Sequence, residues 1–291
     1  MHSVKLVVPM FVALIGAHSF AGAAPILGSA LASFAVLGAA GVTNVPSSTI
    51  GGNLGSAPNA SVGGGYVFSS GSSQPNTAIA QNAQIQLDAA ILAVNAGVGT
   101  AIPNGNLDVF QGLNGGFIAP GTYDVGFATQ NLLGNLILNG GGSNSAIWRF
   151  RFSSSLITST VSNVSVVNVG DGANVGLYWT VGSAATLNGP TFAGNVLANQ
   201  LISSDGNLTM ACGRLLSAES QVTLIQDSIS ITGCNSNGYD QGGSPGGGGG
   251  GPGGGGGTVS EPSTVLLAGL ALTGLLFGNA RSRRRVVPVV A

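Results

Sequence analysis

From residue 25 to 240 the chain alternates short apolar runs with clusters of Gly, Asn and Ser. The runs are rich in Val, Ile, Leu and Thr, and turn residues separate them after a few positions. That is the pattern of many short strands. One segment departs from it. Ile79, Ala83, Leu87, Ala90 with Ile91, and Val94 recur at helical spacing, with Gln81, Gln84, Asp88 and Asn95 largely off that stripe. Asn76 or Thr77 can cap the start and Gly97 can end it. The spacing predicts one helix of about 20 residues, roughly 30 Å long. Its apolar stripe needs a flat, elongated partner. At Trp148, Phe150 and Phe152 the period is two, which turns the rings inward and Arg149 and Arg151 outward as a solvated pair.

A loose repeat runs through the second half. Ile157-Thr158-Ser159-Thr160-Val161-Ser162, Leu187-Asn188-Gly189-Pro190-Thr191-Phe192, Ser203-Ser204-Asp205-Gly206-Asn207-Leu208 and Ile225-Gln226-Asp227-Ser228-Ile229 can be laid over one another. Each sets small polar residues beside apolar ones that would point inward. Repeats of about 20 residues without helical content suggest the coils of a β-solenoid. A β-sandwich is the alternative, because it also has short strands at regular spacing.

Composition narrows the chemistry. The 291 residues are 44% hydrophobic but only 6% charged, with 50 glycines. Both histidines (His2, His18) and the single lysine (Lys5) lie near the N-terminus. Between residues 24 and 240 the only bases are Arg149, Arg151 and Arg214, against eight carboxylates. A Ser-His-Asp or Cys-His site needs an imidazole. A zinc site with histidine ligands is excluded there, and two cysteines cannot form a four-cysteine site. So acidic a surface is a poor partner for nucleic acid, whose phosphates are held by Lys and Arg. No metal, cofactor or catalytic residue is expected.

The ends read as addresses. Lys5, the apolar stretch 6–17 and Ala21-Gly22-Ala23 form a secretory signal over 1–23, leaving Ala24 as the first mature residue. In such an exported chain Cys212 and Cys234, 22 residues apart, are expected to pair. A domain over 24–240 is followed by a glycine-rich linker over 241–259, which cannot bury a core. Residues 260–291 then hold Glu261, Pro262 and Ser263, an apolar run at 264–278 and the cluster Arg281, Arg283, Arg284 and Arg285. That order resembles the PEP-CTERM sorting signal of Gram-negative, exopolysaccharide-making bacteria. Here Ser260 replaces the usual first proline. The resemblance implies a short helix that transiently anchors the chain in the membrane, cleavage by an exosortase, and release or surface attachment.

The middle also resembles the microbial ice-binding protein family. The matching stretches include Leu27-Gly28-Ser29-Ala30, Ile50-Gly51-Gly52-Asn53-Leu54-Gly55, Pro120-Gly121-Thr122-Tyr123 and Ala146-Ile147-Trp148-Arg149-Phe150. They continue in Val175-Gly176-Leu177-Tyr178-Trp179-Thr180-Val181-Gly182, Phe192-Ala193-Gly194-Asn195-Val196-Leu197-Ala198 and Gly213-Arg214-Leu215-Leu216-Ser217. The resemblance implies a mostly β fold, a right-handed discontinuous β-solenoid with one long α-helix packed alongside. It also implies adsorption to ice, as in antifreeze and recrystallisation inhibition, through a flat face of outward Thr, Ser, Asn and Ala.

The superimposed segments nominate Thr158, Thr160, Ser162, Thr186, Asn188, Thr191, Ser204, Asn207, Thr209 and Ser228 for that face. Asp205 and Asp227 would bring charge near it. The same residue types also simply suit strands. Two further readings stand beside ice binding. One is an adhesive module that holds exopolysaccharide at the cell surface. The other is a polysaccharide lyase or hydrolase, which wants paired carboxylates or a strong base that this segment lacks.

Overall fold

The computed structural model describes residues 25–233 and 238–241. The signal segment, the linker beyond Gln241 and the sorting segment lie outside the described residues, as does Cys234. The described chain is mostly β, built from parallel sheets. A nine-stranded sheet runs in the order Ser73–Pro75, Asn53–Ser56, Phe34–Gly38, Gly213–Ser217, Gly194–Ala198, Gly176–Val181, Ile147–Phe152, Gly121–Val125 and Thr100–Ile102. A five-stranded sheet runs Leu156–Ile157, Ala185–Leu187, Ile202–Ser204, Gln221–Ile225 and Gly41–Val45. A third face joins Asn135–Asn139 and Asn163–Val167 to Thr209–Met210, Ser228–Ser230, Ser48–Gly51 and Tyr66–Ser70. Thr191 connects its two halves by parallel bridges to Asn163 and Thr209.

The circuits that begin at Phe34, Ile147, Gly194 and Gly213 visit the nine-stranded sheet, the five-stranded sheet and the third face in turn, whereas those that begin at Asn53 and Gly121 reach the third face without a strand in the five-stranded sheet. The first circuit is out of sequence order in space. Phe34–Gly38 pairs with Gly213–Ser217, Gly41–Val45 with Gln221–Ile225, and Ser48–Gly51 with Ser228–Ser230. The beginning of the domain is therefore closed onto its end.

Inside the circuits aromatic rings form a file. Tyr123 stacks on Phe150 at 5.3 Å between centroids, Phe150 on Trp179 at 4.3 Å, and Trp179 meets Phe192 at 5.0 Å. Buried indole N–H groups need acceptors. Trp148 donates to the Ile118 carbonyl and Trp179 to the Ala193 carbonyl.

Among the described residues three helices accompany the sheets: α1 (Ser29–Ala32), α2 (Ala78–Asn95) and α3 (Leu107–Leu113). Several strands of the nine-stranded sheet are buried at every position, because α1 and α2 cover its outer side. Helix α2 has 18 residues, capped by the Thr77 hydroxyl, which accepts from the Ala80 N–H. Its buried stripe is Ala80, Ala83, Leu87, Ala90 and Val94. Ile79, expected on that stripe, is 37% exposed. Ala80 takes its place, since small residues let a helix axis approach a sheet closely.

The arginines differ from expectation. Arg151 is no solvated residue, because α2 lies over its side of the sheet. Its Nε and Nη2 hold Asp124, and its Nη1 donates to the carbonyls of Asn95, Ala96 and Gly97. A helix leaves its last carbonyls without internal partners, and α2 has no basic residue in its last turn. Arg151 supplies both the donors and the positive charge from the sheet beneath. Arg149 is only partly exposed and also makes contacts of its own.

Arg214 is fully buried. It donates to Asn195 Oδ1 and to the carbonyls of Gly238 and Ala32, and lies 3.8 Å from the Asp240 carboxylate. It thereby ties residues 238–241 and the segment before the first strand to one point. Asp227 is a second buried charge. It accepts from the Ser204 hydroxyl and from the N–H groups of Leu208 and Ile225. Burial pushes the carboxyls of Asp227 and Asp240 above the usual range, outweighing those hydrogen bonds and, for Asp240, the Arg214 charge.

Two outcomes are expected. Arg214→Met leaves Asp240 buried without its counter-charge and should cost about 3–5 kcal/mol in urea denaturation. A loss under 1 kcal/mol would contradict the tie. The raised carboxyls bind protons more tightly in the folded than in the unfolded chain. Their contribution is full below the ordinary value of 3.8 and is lost as pH rises through the folded values. The denaturation midpoint should fall as pH rises above about 4, and the double variant Asp227→Asn/Asp240→Asn should flatten that slope.

Candidate functional site

The third face is built by a repeated triplet. Asn135-Leu136-Ile137, Asn163-Val164-Ser165, Thr191-Phe192-Ala193, Thr209-Met210-Ala211, Ser228-Ile229-Ser230 and Thr49-Ile50-Gly51 stack in register. The middle residue of each is buried: Leu136, Val164, Phe192, Met210, Ile229 and Ile50. Alternation then turns the two flanking residues outward. The first outward positions form one file, Asn135, Asn163, Thr191, Thr209, Ser228 and Thr49, which Val67 extends at the far edge. All are exposed except Asn163, which is half-buried.

Neighbouring strands lie about 4.8 Å apart, so the seven positions span about 29 Å, and a second file lies about 7 Å away along the strands. That second file carries Ile137, Ser165, Ala193, Ala211, Ser230 and Gly51, all short apart from Ile137. No residue of either file is charged. Part of the file is held in place by its own side chains. Thr191 donates its hydroxyl to Asn163 Oδ1 at 2.8 Å, and Asn163 donates its amide to Asn135 Oδ1 at 2.9 Å.

Helix α3 closes the edge of this face. Asp108 accepts from the N–H groups of Leu133 and Gly134, and Gln111 donates to the Asn135 carbonyl and accepts from the Ile137 N–H. An open strand edge invites pairing with other chains. Side chains occupy that edge here, so the outward positions keep one register to the end.

The ten nominated residues do not share one plane. Thr191, Thr209 and Ser228 fall on the file just described. Thr158, Ser162 and Ser204 point inward and are 1%, 1% and 6% exposed. Their hydroxyls serve the chain itself. Thr158 accepts from the Asn188 N–H, Ser162 donates to the Ser159 carbonyl, and Ser204 donates to Asp227. Thr186 lies on the five-stranded sheet, and Asn188, just beyond that strand, gives its amide to the Thr158 carbonyl. Thr160 and Asn207 sit in exposed corners between the five-stranded sheet and the third face, Asn207 at φ 57°. Asp227 is buried inside the coil and brings no charge to the surface.

The five-stranded sheet presents a second outward file: Ile157, Thr186, Ser203, Thr223 and Thr43. Thr43 donates its hydroxyl to that of Thr223 at 3.0 Å. Flanking positions carry Leu201, Gln221, Asp205 and Val45. This face is more uneven and includes a charge.

Thr49, Asn135 and Asn163 were not nominated from the sequence. The signal that would have found them is the triplet itself, a short polar residue followed by one large apolar residue and another short one. Thr49 is hidden further because its neighbour in the file, Ser228, is about 180 residues away along the chain.

A family model described as Ice-binding-like matches residues 36–230. An "Ice-binding protein" of Nostoc sp. (strain HG1) is 31% identical over 268 residues, covering 89% of this chain and 88% of that protein. Among solved structures, an ice-binding protein from the Antarctic ascomycete Antarctomyces psychrotrophicus aligns with a TM-score of 0.60 at 28% identity. The alignment covers 72% of this chain and 98% of that one. An ice-binding protein from an Antarctic biological consortium aligns with a TM-score of 0.62 at 27% identity, covering 77% and 96%.

Proposed function

We propose that this chain, which belongs to the ice-binding-like family, adsorbs to ice through the third face, with Thr49, Asn135, Asn163, Thr191, Thr209 and Ser228 as the contact file. The observation that carries this reading is the register of short, uncharged, outward side chains over six strands and the Thr191 bridge, laid on a packed core. Each hydroxyl, amide or methyl group contributes little alone. Spaced on a rigid lattice they can order water across the whole plane, and ice growth is restrained where that water joins the crystal. We read the circuits as a right-handed discontinuous β-solenoid with α2 as its flanking helix.

The second reading of the site is the five-stranded sheet, favoured by the unbroken hydroxyl run Thr186, Ser203, Thr223 and Thr43. An adhesive role without ice activity is the alternative at the level of function. The sequence of the two ends supports export, exosortase processing at Glu261, Pro262 and Ser263, and release or attachment at a Gram-negative surface. Among the described residues no helix is long and apolar enough to cross a membrane. The segment 264–278 read as the transient anchor lies outside them. Cys212 is buried and disulfide-bonded. We assign Cys234, the chain's other cysteine, as its partner, in a loop whose closure contributes about 3 kcal/mol.

A bulky residue in mid-file lifts its neighbours off the lattice, so its effect exceeds one contact. Thr209→Tyr should abolish ice shaping and recrystallisation inhibition while shifting stability by no more than about 0.5 kcal/mol. Ser203→Tyr, on the other face, should leave both unchanged. The opposite result transfers the site to the five-stranded sheet. A parent protein that neither shapes ice nor slows recrystallisation leaves the adhesive reading. Peptide mapping of the mature protein should find Ala24 or a near neighbour first, a cross-linked Cys212–Cys234 pair, and no peptide containing Arg281. Recovery of Arg281 in the mature chain would remove the sorting signal from the account.

A further inference from the structure

A groove of about 590 Å³ lies where α2 stops short of the end of the nine-stranded sheet. Its walls are the C-terminal ends of Gly121–Val125, Ile147–Phe152 and Gly176–Val181, together with Pro103 and Asn199. The volume is within the ordinary range for a small-molecule site, about 300–1,000 Å³. We propose that this groove binds a short stretch of neutral saccharide.

The polar groups of the groove carry the argument. Both bonds from Arg151 to Asp124 fall on Oδ1. The Asp124 side chain is still 47% exposed, and its Oδ2 has no partner among the described residues. Asn95 accepts the Thr180 hydroxyl on Oδ1, which leaves its amide N–H groups unused. Asn199 uses its amide for the Gly182 carbonyl and keeps Oδ1. Ser153 is exposed with its hydroxyl unpaired. One trough thus offers two acceptors, a donor and a hydroxyl that can do either. Ile91, Pro103 and Val181 give it apolar ground. Mixed donors and acceptors around an apolar patch suit a sugar ring, which carries hydroxyls on its rim and C–H groups on its faces.

Charge selects against other ligands. Every guanidinium nitrogen of Arg151 is engaged, with Asp124 or with the end of α2. No cation is left to receive an acidic sugar or a phosphate. The same guanidinium neutralises Asp124, so a cation gains little.

The position of the groove gives it a use. It lies at the corner between the nine-stranded and five-stranded sheets, the one corner of the circuit in which the third face takes no part. A saccharide held there leaves the Thr and Asn file uncovered. The site does not depend on the ice reading. It would let one molecule hold a glycan and an ice surface together.

Calorimetric titration of the full chain with cellohexaose, maltohexaose and hexagalacturonate tests this. At least one neutral hexasaccharide should bind with Kd at or below about 1 mM, and hexagalacturonate should bind at least about tenfold more weakly. Ser153→Trp should abolish binding by filling the groove. Asn199→Ala should weaken it about tenfold and carries the test if the tryptophan variant does not fold. Both variants should shape ice as the parent does, and Thr209→Tyr should keep the parent's saccharide affinity. The proposal is overturned if neither neutral sugar binds, if the acidic sugar binds more tightly, or if the folded groove variants bind like the parent.

Discussion

The architecture depends on parallel strands that remain in register from one circuit to the next while each places a large side chain inward. On the third face Leu136, Val164, Phe192, Met210, Ile229 and Ile50 fill the interior, and close packing leaves little freedom for any of them to slide. The residues on either side have no independent choice of position. Their spacing along the surface is a projection of the packing beneath, so the regular outward file is as rigid as the core that sets it. Loosening one inward residue would blur the file without touching it.

The rare charges serve the same end. Arg151 terminates α2, Arg214 binds the two ends of the described domain, Asp227 joins Ser204 to two backbone N–H groups, and Asp108 closes the edge beside Asn135–Asn139. Each acts largely through backbone groups that the sheets and helices cannot satisfy themselves. With only 6% charged residues, the chain keeps both outward files of the third face free of charge and places these ions at corners and ends.

Much of this was legible in the sequence. The short strands, the single long helix and the inward rings at Trp148, Phe150 and Phe152 follow from periodicity. The helix stripe was read correctly at Ala83, Leu87, Ala90 and Val94, and only its first position moved, from Ile79 to Ala80, because alanine and isoleucine are both apolar. Register was the harder problem. Laying Ile157 over Leu187 differs by one position from the observed partner, Thr186, and a slip of one turns every side chain to the opposite face. Thr158 and Ser204 were misplaced for another reason: they share an inward position with Leu187, and a hydroxyl bonded inside the coil looks the same in sequence as one that faces solvent. The destination of Arg151 was not legible, since its partners are carbonyls at the end of a helix more than fifty residues away.

The pairing of Phe34–Gly38 with Gly213–Ser217 has a kinetic meaning. Circuits stacked in chain order could form one after another as the chain emerges. Here the first circuit has no neighbour on one side until the last is available, and the Arg214 tie joins Ala32 to Gly238 across nearly the whole domain. Contacts of such long sequence separation slow folding. An N-terminal fragment has no surface on which to complete itself. The fold therefore cannot close part-way through synthesis, and its final form waits until the far end has arrived.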